Sequence, residues 1–124
     1  MHFFVLYYLF RNYKEASMEK KKYNCPVEAA LSQLGGKYKA IILYYLLTEN
    51  VLRFSQIQRH IPRATAKMLT QQLRELEEDG LIHRTVYPVV PPKTEYTLTS
   101  RGESLRSVIF AICDWGREYM AGTF

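Results

Sequence analysis

Cysteine, tryptophan, histidine and long apolar runs are all scarce in this chain of 124 residues. Its two cysteines, Cys25 and Cys113, stand far apart, and no C-x-x-C occurs. Two thiols do not make a secreted disulfide scaffold, so they point to a reducing, cytoplasmic setting. The three histidines, His2, His60 and His83, are scattered and none belongs to an H-E-x-x-H pair. With so few ligands no structural zinc site is expected, and neither a metal nor a cofactor is read from the sequence. Gly35–Gly36–Lys37 is not a phosphate-binding loop: Leu31 stands where an earlier glycine is needed, and Tyr38 follows the lysine. Glu77, Glu78 and Asp79 read as a charged helix end, with no base beside them, so the chain is not expected to be an enzyme. The opening MHFFVLYYLF is about half the ~20 apolar residues that span a bilayer. No basic segment precedes it and no A-x-A follows, so neither a membrane span nor a signal peptide is expected.

What is present fits one domain. Hydrophobic residues make up 48% of the chain, enough for a core at this length. Ten tyrosines against one tryptophan suggest many half-buried positions. A second start at Met18, MEKKKYNCPVE, makes residues 1–17 read as an upstream extension. The rival is an added strand or helix that packs on a partner. The expected organisation is an N-terminal extension over residues 1–23 and one domain over residues 24–124.

Periodicity predicts a mainly α fold with a small β-hairpin. A first helix starts at Pro26, where a missing N–H costs nothing. Val27, Ala30, Leu31 and Leu34 give it one stripe, and Gly35–Gly36 ends it. A second helix over about 37–47 is apolar around most of its circumference, so it should be central. A short third helix is expected with Ser55 as its cap and Ile57 and Ile61 buried, stopped by Pro62. Thr65 caps a fourth that runs to Asp79, with Gly80 beyond its end. The period then changes. LIHRTVY alternates as a strand, PVVPPK is a proline-rich tip, and TEYTLT returns as the second strand. Thr99 or Ser100 should cap one last helix reaching Tyr119.

Charge is more informative in its placement than in its total of +5. From Arg53 to Arg74 there are five cations and no acid, and then Glu75, Glu77, Glu78 and Asp79 follow at once. On the fourth helix Leu69, Leu73 and Leu76 fall on one face, and Lys67, Thr70, Gln71 and Arg74 on the other. Arginine and lysine can pair with guanine, and glutamine with adenine, although the same set suits an ordinary solvated face. The helix N-terminus adds positive potential to Arg63 and Lys67. The acids would be tolerable at an end that points away from a polyanion. A short third helix, a tight IPRA turn, a polar-faced fourth helix and a hairpin with Lys93 at its tip make a winged helix-turn-helix. Its order is α-α-α-α-β-wing-β-α.

The segments CPVEAALSQLGGKYKAIILYYL, FSQIQRHIPRATAKMLTQQLRELEEDGLIHRTVYPVVPPKTEYTLTSRGESL and ICDWG resemble the HxlR-type branch of the MarR-like winged-helix regulators. The resemblance covers about residues 24–119. It implies a homodimeric transcription factor that binds double-stranded, palindromic operator DNA. The expected DNA-contacting set is Arg63, Thr65, Lys67, Met68, Thr70, Gln71, Arg74, Lys93 and Thr94. In some members the cysteine of the CPVE motif senses oxidants, which makes Cys25 the expected redox-sensing thiol. Its place at a helix start near Lys20, Lys21 and Lys22 favours reactivity. A small residue at a helix cap explains it equally well. The sequence names no small-molecule or oxidant effector. Tyr38 stands where the family often has tryptophan, and Thr65 where it often has serine. Both keep the chemistry.

Dimerisation also has a basis in composition. Val108, Ile109, Ile112, Trp115 and Tyr119 cover more of the last helix than one domain needs, and Val27 and Leu31 add to them. These seven are the expected dimer interface. Cys113 lies at the edge of that stripe and reads as an inert buried thiol. A Cys25–Cys113 bridge between subunits stays open on the sequence alone. So do two other functions: a winged helix that binds a protein instead of DNA, and a thiol enzyme built on Cys25.

Overall fold

The computed structural model describes residues 22–124. The expectations for residues 1–17, and for Lys20 and Lys21, lie outside the described residues. The chain divides into two units, the second being Leu31–Phe124. In the first, the described residues lead into α1 (Pro26–Leu34). The Glu28 N–H donates to Cys25 Sγ at 3.5 Å, and the Asn24 N–H to Glu28 Oε2 at 3.4 Å. The thiol therefore stands at a helix start, as its place before Pro26 predicts.

The second unit is built on α2 (Lys39–Glu49), whose Ile42, Leu43 and Leu46 are at most 1% exposed. The helix starts later than predicted because Tyr38 is its N-cap, and the Tyr38 N–H donates to Gln72 Oε1 at 2.8 Å. It also runs on to Glu49, where Asn50 turns the chain with φ 70. A two-residue strand, β1 (Leu52–Arg53), follows; it is too short to show a period and was not expected. The third helix, α3 (Phe54–His60), buries Ile57, and Ile61 is buried just beyond its end. Ser55 is not its cap. Arg53 holds the N-cap position and its N–H donates to Gln56 Oε1 at 2.8 Å, so the glutamine satisfies the start.

The fourth helix, α4 (Ala66–Glu78), follows the sequence expectation. Thr65 Oγ1 accepts the Met68 N–H at 3.1 Å, and Leu69, Leu73 and Leu76 are at most 2% exposed. Gly80 leaves it with φ 72, a conformation that favours glycine. Two antiparallel strands, β2 (Ile82–Tyr87) and β3 (Lys93–Leu98), then pair from Ile82↔Leu98 to Tyr87↔Lys93. Strand β1 pairs with β3 on its other edge, Leu52 opposite Tyr96, so the sheet has three strands in the order β1-β3-β2.

The last helix is two. Thr99 caps α5 (Ser100–Glu103), accepting the Gly102 N–H at 3.0 Å and donating to Gly80 O at 2.6 Å. The Leu105 N–H then bonds to Gly102 O, a tight three-residue turn that ends α5 before α6 (Arg106–Tyr119) begins. Gly102 is required by contact: a Cβ there would meet Leu81 O at 2.1 Å. Only Ile109 is buried on α6, where it joins the core around α2.

Candidate nucleic-acid interface

The stripe Leu69, Leu73 and Leu76 fixes which side of α4 meets the core, and so which side does not. Lys67, Thr70, Gln71 and Arg74 are all exposed. Neither Lys67 nor Arg74 has an ion-pair partner among the described residues. Thr70 turns its hydroxyl inward, donating to Ala66 O at 2.7 Å, which leaves only acceptor capacity outward. Met68 is half-buried against the core, and Thr65 is used as the cap. Arg63 is exposed in the turn between α3 and α4, with Ile61 and Ala64 buried on either side of it.

Two of the acids at the far end of α4, Glu75 and Glu77, have ion-pair partners, and Asp79 is held through its main-chain carbonyl. Lys39 is buried on α2, and its Nζ lies 2.6 Å from Glu75 Oε2. That ammonium holds the Glu75 carboxyl below the usual carboxylate range. Glu77 faces Arg84 of β2 at 3.8 Å. Arg101 Nη1 donates to Asp79 O at 2.7 Å, and burial pushes the Asp79 carboxyl up. The charge gradient along α4 thus has an internal component that sequence reading missed: the acidic end anchors the helix to α2, β2 and α5. Gln72 was missed for the same reason, since its partner is a backbone N–H remote in sequence.

The wing residues are less free than expected. Lys93 Nζ reaches Glu95 Oε1 at 2.8 Å and sits 5.0 Å from the centre of the Tyr87 ring. The lysine draws Glu95 below its usual range. Thr94 is half-buried. The tip beyond them is open, with Val90 99% exposed.

On α6, Val108, Ile112, Trp115 and Tyr119 are exposed, the last three by 55–66%. Ile109 corrects the expectation of a dimer-surface residue: at 3% exposure it belongs to the chain's own core. On α1, Val27 and Leu31 are exposed. Cys25 is exposed and Cys113 half-buried, both as free thiols. Cys113 lines an apolar cavity of about 240 Å³ with Ile41, Tyr44 and Ile112. Among the described residues no helix is long and apolar enough to cross a membrane, and no cluster of three metal-ligating side chains occurs.

The model of a family described as HxlR-like helix-turn-helix matches residues 33–123. The HTH-type transcriptional regulator YtcD of Bacillus subtilis is 52% identical over 103 residues, covering 83% of this chain and 81% of that protein. An HTH-type transcriptional regulator of Methanothermobacter thermautotrophicus is 46% identical over 110 residues, covering 89% and 83%. Among solved structures, that of the redox regulator HypR in its oxidised form superposes with a TM-score of 0.72 at 46% identity. It covers 76% of this chain and 96% of that one.

Proposed function

The chain belongs to the HxlR-like helix-turn-helix family, and on that footing we propose that it regulates transcription by binding a palindromic operator as a homodimer. Helix α4 enters the major groove with its N-terminal half. Lys67, Gln71 and Arg74 read or grip the duplex, Arg63 and the Thr65 turn lie over the backbone, and Lys93 and Thr94 lie at the wing. One observation carries this reading. The solvent side of α4 presents cations with no ion-pair partner among the described residues, while two of its acids, Glu75 and Glu77, are paired toward the opposite end. A protein-binding winged helix has no need of that division.

Two copies meet through the exposed apolar side of α6, with Val27 and Leu31 of α1 in the same interface. A two-fold pair sets two recognition helices about one DNA turn apart, ~34 Å, or a multiple of it. The domain is taken as residues 24–124. Cys25 is the thiol through which an oxidant alters DNA binding; its exposure and its place at the start of α1 support this, as does the kinship with a redox regulator. The setting is cytoplasmic.

The test is selection of bound duplexes from a random pool, run with reduced and with oxidised protein. A recovered inverted repeat, bound by the reduced form and released on oxidation unless Cys25 is serine, is the expected result. Recovery of no sequence from the reduced protein counts against operator binding. A Cys25→Ser variant that still responds to oxidant removes the sensor role.

A further inference from the structure

The exposed side of α4 continues into a cleft that faces the sheet. Thr70, Leu73, Arg74 and Glu77 of α4, with Arg84 of β2 and Tyr96 of β3, line a space of about 160 Å³. Its donors outnumber its acceptors. Arg74 has no ion-pair partner among the described residues. Arg84 is only loosely tied, with its Nε 3.8 Å from Glu77 Oε1 and nearly half of its side chain exposed. Tyr96 is buried, and burial keeps its phenol above the usual value, so it remains an O–H donor at neutral pH. Glu77 balances one of the two guanidiniums, which leaves the cleft with one uncompensated positive charge.

Two planar guanidiniums at one opening suit an oxyanion that accepts two hydrogen bonds from each. A base edge is a poorer match, because it would have to enter a recess beside the helix instead of meeting the helix face. We propose that this cleft takes one phosphodiester of the operator backbone, gripped by Arg74 and Arg84 together, and that Glu77 holds Arg84 ready until the phosphate displaces it. This rests on the operator-binding reading and refines it: Arg74 becomes a phosphate contact, and sequence discrimination passes to Lys67 and Gln71. Arg84, which alternation alone places beside Ile82 and Val86, becomes part of the DNA-binding surface.

The experiment measures affinity of the full chain for a duplex recovered from a random pool and for an unrelated duplex of equal length, over a range of salt. Each phosphate neutralised contributes a slope of about −0.9 in log affinity against log salt. Removing both arginines in Arg74→Ala/Arg84→Ala should flatten that slope by about one on both duplexes, with the same fold-loss on each. Either single variant should lose less, because the remaining guanidinium still meets the phosphate. Glu77→Gln should tighten both duplexes several-fold. If the alanine pair does not fold, the glutamine pair gives the same readout. An unchanged slope, or a loss confined to the selected duplex, overturns the assignment. So does saturation of the Arg74 and Arg84 side-chain NMR signals by low-millimolar inorganic phosphate without DNA, which would mark a small-anion site. Lys67→Ala and Gln71→Ala separate the two levels. If they abolish discrimination while the arginine pair is silent, only the cleft fails. If they too are silent, the groove reading itself fails.

Discussion

Lys39 Nζ and Glu75 Oε2 stand 2.6 Å apart, and the lysine side chain is 8% exposed against 41% for the glutamate. The pair ties the central helix α2 to the recognition helix α4, one turn from where the Tyr38 N–H meets Gln72. Its asymmetry has a consequence for mutation. Removing the glutamate strands a buried ammonium, whereas replacing the lysine leaves a carboxylate that water can reach. Glu75→Ala should therefore cost more than Lys39→Met. Breaking a dry ion pair costs ~3–5 kcal/mol, and the exposure of Glu75 lowers the expectation to about 1–3 kcal/mol. Urea denaturation midpoints order the two variants; equal midpoints would show that the pair is not the anchor.

Acid should loosen the same anchor. Glu75 and Glu95 are held below their ordinary value of 4.5 by Lys39 and Lys93. A carboxyl with a lowered folded value stabilises the fold above its unfolded value, and that contribution is lost as pH falls through the folded one. Asp79 has the opposite sign. Burial raises it above 3.8, so its ionisation costs stability as pH rises, and acid relieves that cost. Melting temperature should fall between about pH 5 and pH 3. Lys39→Met should flatten the fall, and Asp79→Asn should steepen it while raising the melting temperature at neutral pH.

Gly102 allows α5 to lie against the end of α4. Its missing side chain is the reason Leu81 O can sit where a Cβ would otherwise be, 2.1 Å away. Gly102→Ala should cost about 1–3 kcal/mol by forced displacement. A melting curve identical to the parent's would mean that α5 shifts freely.

The dimer prediction is specific to a face. Ile112 is 55% exposed in the single chain, so Ile112→Glu should leave its folding almost unchanged. Buried in a two-fold interface, the same charge is costly. Light scattering at micromolar concentration should give a dimer for the parent and a monomer for the variant. A monomeric parent, or a variant that stays dimeric, contradicts the assignment of α6.

Much of this was legible in the sequence, and the failures share a cause. Helix α4 could be read because its leucines repeat at helical spacing between a Thr65 cap and a Gly80 stop, all of them local signals. The winged helix-turn-helix follows from such signals. Strand β1 could not be read, since two residues carry no period and its partner Tyr96 is remote in sequence. The break between α5 and α6 has no proline, and Gly102 within the pattern marks a close approach that only the folded chain reveals. Which of Ile109 and Ile112 faces the core depends on how α6 lies across α2, and spacing alone gives both. The burial of Lys39 and the pairing of Glu75 and Glu77 were hidden because each partner lies on another element.

The central claim is that Lys67 and Gln71, on the open side of α4, read base edges. The most direct measurement is the affinity ratio between selected and unrelated duplexes, for the parent and for Lys67→Ala/Gln71→Ala. A base-reading side chain is worth ~1–3 kcal/mol of discrimination, so the ratio should collapse by at least about tenfold. A variant that keeps the parent's ratio at every salt concentration would contradict the account.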